Sequence, residues 1–180
     1  MGQALTELFR RQSRGVQILI VLSITWMVLI FCMSAQNSEE SSSLSSGLLA
    51  KLLAWLTPDW DSMGARERRL LLEKWHTFFR KLGHFSEYAV LGGLLTAVFR
   101  VRHTERQSPP YTRVWLPPLA ALCYAATDEL HQRFVPGRSC EFRDVMIDFS
   151  GALLGTLIVL GMLHLYRKRQ EQREAEGLFP

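Results

Sequence analysis

The sequence predicts an all-α polytopic membrane protein with four transmembrane helices and an additional amphipathic, interfacial helix between the first two. Three observations predict it. Apolar stretches recur at 16–33, 88–99, 114–127 and 149–166. Lysines and arginines flank these stretches, as charge bordering a membrane does. Threading the chain back and forth through a bilayer then gathers His84, Glu87, Asp128, Glu129, His131, Gln132, Arg138, Asp144 and Asp148 on one side. At 180 residues the chain reads as one domain. A basic cytoplasmic N-terminus, 1–15, precedes a four-helix membrane domain, 16–166. Its extracytoplasmic loop, 34–81, carries amphipathic helices, and a charged cytoplasmic tail, 167–180, follows.

The first stretch, 16–33, carries no charge and is long enough to cross a hydrocarbon core. Arg10, Arg11 and Arg14 before it also fit a signal peptide, but the run exceeds a usual signal core, so it reads as a retained helix. A serine-rich polar stretch, 34–43, then leaves the bilayer. In 44–56, Leu48, Leu49, Leu52, Leu53 and Leu56 form a helical stripe with Trp55 near its end, the pattern of a helix lying in the interface plane. Thr57-Pro58-Asp59 ends it. A second amphipathic run, 65–82, flows without a breaker into 88–99. The loop 100–113 is basic and contains Pro109-Pro110. The third stretch opens near Pro117-Pro118, since proline is tolerated in a first helical turn. Phe134-Val135-Pro136-Gly137-Arg138 reads as a turn. The fourth stretch runs from about Asp144 to Tyr166, and the charged tail beyond it reads as fraying.

Charge and cysteine content narrow the function. The net charge is +4, yet the basic residues sit beside apolar segments and no nucleic-acid motif occurs, so nucleic acid is not an expected partner. Cys32 and Cys123 fall inside apolar stretches and Cys140 in a polar loop, which writes neither a disulfide framework nor a CxxC pair. Three arginines before the first helix place the N-terminus in the cytoplasm, and four crossings return the C-terminus there. Counted over all loops and both tails, the Lys and Arg divide almost evenly, 11 inside and 10 outside, so the orientation rests on the first helix and the short basic loop.

Segment length marks the polar cluster as a site. Crossing takes roughly 20 helical residues, and 88–99 and 114–127 are shorter. One must borrow His84 and Glu87 from upstream, the other Asp128, Glu129 and Gln132 from downstream. Unpaired charge in that position is costly, which makes such groups a functional-site hypothesis. Helical spacing puts Lys81, His84 and Tyr88 on one face with Glu87 at its edge. Asp128, His131 and Gln132 align, as do Asp144 and Asp148, whose stripe continues through Gly151 and Gly155. Gly151-x-x-x-Gly155 lets helices approach closely. Taken singly each residue has a structural reading as cap, ion pair or snorkelling anchor, and Arg80 and Lys81 fit the last of these. Convergence from separate segments favours a site.

These residues also carry a resemblance. Arg80-Lys81-Leu82-Gly83-His84-Phe85-Ser86-Glu87-Tyr88, then Asp128-Glu129-Leu130-His131-Gln132-Arg133-Phe134-Val135-Pro136-Gly137-Arg138, then Asp144 to Asp148 with Gly151 and Gly155, resemble the VanZ-like family. The stretch Phe31-Cys32-Met33-Ser34-Ala35-Gln36 with the serines after it is similar to that family's segment following its first helix. The resemblance implies a small multi-pass protein of the bacterial cell membrane and cell envelope. Its namesake is associated with low-level resistance to the glycopeptide antibiotic teicoplanin. The family pattern often has Asn where this chain has Asp148.

Two functions from different classes fit. In the first, the outer-face cluster binds a polar headgroup, that of a membrane lipid, a lipid-linked cell-wall precursor or the glycopeptide, with Lys81 and Arg138 on phosphate. In the second, a membrane-embedded hydrolase acts on a lipid or polyprenyl phosphate, with His84, Glu87, Asp128, Glu129 and Asp144 holding a divalent metal, magnesium or manganese before zinc. No HExxH, nucleophile elbow or P-loop accompanies the second. Transport fits less well, for no repeat pair is present.

Overall fold

A computed structural model describes residues 14–36, 38–104, 112–138 and 140–176. Arg10, Arg11 and the Pro109-Pro110 loop lie outside the described residues. Among the described residues the chain forms five helices and no strand: α1 Arg14–Ser34, α2 Ser38–Leu56, α3 Ala65–Thr104, α4 Thr112–Gln132 and α5 Phe142–Ala175.

Three of these, α1, α3 through Arg100, and α5, are long and apolar enough to cross a membrane. α4 has 21 residues but does not reach that apolarity, because Asp128, Glu129, Gln132 and two prolines dilute it. Pro117 and Pro118 lie inside α4, beyond its first turn, because the helix starts upstream at Thr112. Each proline removes an amide donor from the helix ladder. Both are fully buried, and neighbouring helices make such breaks tolerable in a bundle.

Two boundaries differ from the sequence reading. α2 begins at Ser38, so most of the serine stretch is helical. Serine is only a moderately poor helix former, and no proline interrupts the run before Pro58. α5 continues past Tyr166 to Ala175 instead of fraying. Its last turns are built from Arg, Lys, Gln and Glu, all strong helix formers, and the Gln170 side-chain amide donates to the Tyr166 hydroxyl at 2.7 Å, one turn back. The unbroken α3 joins the run 65–82 to 88–99 in 40 residues, about 60 Å of helix. Twice a hydrocarbon thickness, it must project well beyond a bilayer.

α3 is the hub. It packs against α5 most extensively, then α4, α1 and α2. The core is made of small groups around a few large ones: Ala121, Ala125 and Ala152 meet Ile30, Tyr88 and Leu91. Large apolar side chains point outward, among them Ile18, Val21, Ile24 and Val28 on α1 and Leu157, Ile158, Met162 and Leu165 on α5. Small inside and large outside is the arrangement expected where the surroundings are lipid and helices associate by close backbone approach. Gly151 of α5 lies against the Phe85 backbone, Gly155 against Ala89, and Gly92 of α3 against Ala152. Farther along the same interface the Thr96 hydroxyl donates to the Gly92 carbonyl at 2.7 Å and sits 3.1 Å from Thr156 Oγ1.

Candidate functional site

The polar residues lie at one end of the bundle, in three neighbouring places. The first is a cleft of ≈ 320 Å³ between the end of α1, α2 and α3. Met33, Leu48, Phe79 and Leu82 give it an apolar wall, and Arg80, His84, Glu87 and Arg138 bring polar and ionisable groups. Arg80, His84 and Glu87 follow one another at four and three residues on α3, so they share a face. His84 Nδ1 lies 3.8 Å from Glu87 Oε2. The Trp26 indole N–H donates to the Glu87 carbonyl at 2.9 Å and ties α1 to α3 beside the cleft. α2 supplies Leu48 and Ser45; it rests on α3, where Ser45 Oγ and His76 Nε2 are 2.9 Å apart.

Arg138 reaches the cleft from the loop between α4 and α5. Gly137 has φ 76°, and the Arg138 amide donates to the Val135 carbonyl at 3.2 Å. Proline followed by a positive-φ glycine is the chemistry of a type II turn, and that turn aims Arg138 back at α1. Its Nε donates to the Gln36 carbonyl at 3.1 Å, its Nη2 to the Met33 carbonyl at 3.5 Å and its Nη1 to Gln132 Oε1 at 3.1 Å. Met33 lies in the last turn of α1 and Gln36 two residues beyond its end, a place where a cation is favourable. Burial, and next the nearby Arg80 charge, hold Arg138 below the usual arginine pKa.

The second place is the core beneath the cleft. The Gln132 amide passes the Arg138 contact on to Asp128 Oδ2 at 3.3 Å. Asp128, Gln132 and Asp148 are buried, as is Tyr88, so α3, α4 and α5 each bring a polar side chain to the interior. Tyr88 Oη, Asp128 Oδ1 and Asp148 Oδ1 are buried without a hydrogen-bond partner among the described residues. Such atoms are uncommon and call for water, an ion or a proton.

The third place is the rim. Lys81 Nζ donates to Asp144 Oδ1, joining α3 to α5. Glu129 is buried and accepts from the Glu141 amide at 2.6 Å, so α4 supplies an anion to the first turn of α5. His131 turns aside and packs its ring 4.5 Å from that of Phe31.

The stripe of Lys81, His84 and Tyr88 therefore divides: Lys81 goes to the rim, His84 to the cleft and Tyr88 to the core. Arg80 stands on the cleft face, where sequence reasoning finds only a snorkelling residue. Its i, i+4 relation to His84 is the signal that could have found it. Among the described residues no three of His, Cys, Asp and Glu gather into a group able to hold a metal ion. The set His84, Glu87, Asp128, Glu129 and Asp144 is spread over cleft, core and rim and does not fit a divalent cation.

A model of the VanZ/LLP1 family matches residues 19–164. Neither a curated protein nor a solved structure matches the chain. The family match runs from α1 to the last apolar turns of α5 and takes in every residue of cleft, core and rim, so the chain belongs to the VanZ/LLP1 family.

Proposed function

We propose that the protein is a cell-envelope membrane protein of four crossings whose polar end faces outward and binds the polar headgroup of an amphipathic molecule. The ligand is a membrane lipid or a lipid-linked cell-wall precursor, and a glycopeptide that recognises such precursors is the related alternative. The observation that carries this reading is the cleft itself: an apolar wall of Met33, Leu48, Phe79 and Leu82 facing His84, Arg80 and Arg138. Ligand sites combine a mostly apolar lining with a few placed polar groups. α4 crosses as the fourth span because its polar end, Asp128, Glu129 and Gln132, is buried within the bundle and so is not presented to lipid. A role like the namesake's, in low-level teicoplanin resistance, would follow from holding a precursor headgroup.

The test is retention of a polyprenyl-linked cell-wall precursor by the purified protein in nanodiscs. Gln132→Ala, which removes the link between Arg138 and Asp128, is expected to weaken retention about tenfold, the value of a charge-assisted hydrogen bond, while the protein still inserts. Retention equal to wild type would remove the cluster from the binding site.

Orientation has its own test. Cys140 is exposed in the loop beside the cluster, whereas Cys32 and Cys123 are exposed on helices of the bundle. A membrane-impermeant maleimide applied to intact cells is expected to label Cys140 and to leave Cys32 and Cys123 unlabelled. Labelling of Cys140 only after lysis would put the polar end inside.

A further inference from the structure

We infer that the cleft is an anion site, built for the phosphate of a lipid whose chain leaves sideways over Leu48, Phe79 and Leu82; the inference rests on the headgroup reading above and narrows its ligand class. Arg80 and Arg138 arrive from different parts of the chain, one from α3 and one from the turn before α5, and line the same ≈ 320 Å³ cleft. Each lies within the other's electrostatic reach. Two guanidinium groups facing one space repel, and the Asp128, Glu129 and Glu87 carboxylates act on Arg138 in the opposite sense. Arg80 has no acidic partner among the described residues. Lys81, the next residue, is already joined to Asp144 on the other side of α3. Arg138 is held by the two carbonyls and Gln132, and a guanidinium has five N–H donors, so it can keep those bonds and still present N–H groups to a ligand. Glu87 also lines the cleft, 3.8 Å from His84 Nδ1, and among the described residues lining it there is one carboxylate against two guanidinium groups. An anion between the arginines relieves their repulsion, and phosphate suits the guanidinium fork.

The walls say that the anion carries a chain. Leu48 and Leu82 line the cleft and are at the same time exposed to the surroundings. A soluble anion needs no apolar exit; an acyl or prenyl chain does. Arg80 is therefore a binding residue that the polar cluster lacked.

The experiment uses the full chain in phosphatidylcholine nanodiscs, with phosphatidic acid, a neutral diacylglycerol glycoside and inorganic phosphate as probes. Phosphatidic acid is expected to bind saturably at one per protein. Arg80→Gln is expected to weaken it about tenfold or more. Lys74→Gln, which removes the same charge from an exposed site outside the cleft, is expected to leave it within about twofold, as for an isolated surface charge. Arg80→Lys keeps the charge and is expected to recover part of the loss, which separates binding from misfolding. Equal binding by Arg80→Gln and wild type overturns the inference. Displacement of phosphatidic acid by millimolar inorganic phosphate overturns the lipid half of it. If the glycoside binds wild type and Arg80→Gln alike while phosphatidic acid does not bind, the anion inference falls and the headgroup reading stands. If no amphiphile is retained, both fall.

Discussion

Replacing Gly155 with valine is expected to prevent stable assembly of the protein in membranes. A single Cβ at this position would meet the Ala89 carbonyl, with the carbonyl carbon 2.7 Å away and the Gly93 amide nitrogen at 3.0 Å. These are backbone atoms of α3, which cannot rotate aside as a side chain would. The two helices would have to separate along the largest contact in the molecule. Overpacking of this kind costs about 3 kcal/mol or more, a large share of a stability that is itself small. Gly151→Val meets the same obstacle at Phe85. Gly161 sits on the same helix, and a Cβ added there has nothing within 4 Å, so Gly161→Ala is expected to be neutral or to stabilise by up to about 1 kcal/mol, the propensity difference. Membrane yield and the melting temperature in detergent check all three. A Gly155→Val protein with wild-type yield and melting would refute the close α3–α5 packing.

The contrast between Gly155 and Gly161 also shows what a linear pattern carries. The four-residue spacing of Gly151 and Gly155 is visible in the chain, as are the apolar runs that form α1, α3 and α5. α4 is harder to read, because its polar end and its prolines lower the apolarity that marks a span. The candidate site is legible as a set but not as a geometry. Helical spacing says which side chains of α3 share a face; it does not say which neighbour that face meets. α3 is surrounded by α1, α2, α4 and α5, so a small angular step sends Arg80 and Lys81 to different partners. Contacts made through irregular backbone leave no periodic trace at all. Glu129 on the Glu141 amide is one case, and the reach of Arg138 to Met33 and Gln36 is another, across more than a hundred residues of sequence.

Arg138 is for that reason the side chain whose conservative replacement is expected to do the most damage at the polar end. Its Nε and both Nη atoms donate to acceptors on two different elements, the end of α1 and Gln132 of α4. A lysine offers three donors on one atom and cannot span that fork. Arg138→Lys keeps the charge but strands the Gln132 side-chain carbonyl oxygen and loses the bonds to the Met33 and Gln36 carbonyls. Gln132 is buried, so the loss includes the desolvation of a group left unpaired, about 2–3 kcal/mol in all, or a fall in melting temperature of about 5–10 °C for a chain of this length. Arg138→Ala loses the charge as well and is expected to fall at least as far. Thermal unfolding of the two variants in one detergent separates fork geometry from charge. A lysine variant that melts with wild type would mean that only the charge matters, and the account of Arg138 as the clamp between α1 and α4 would fail.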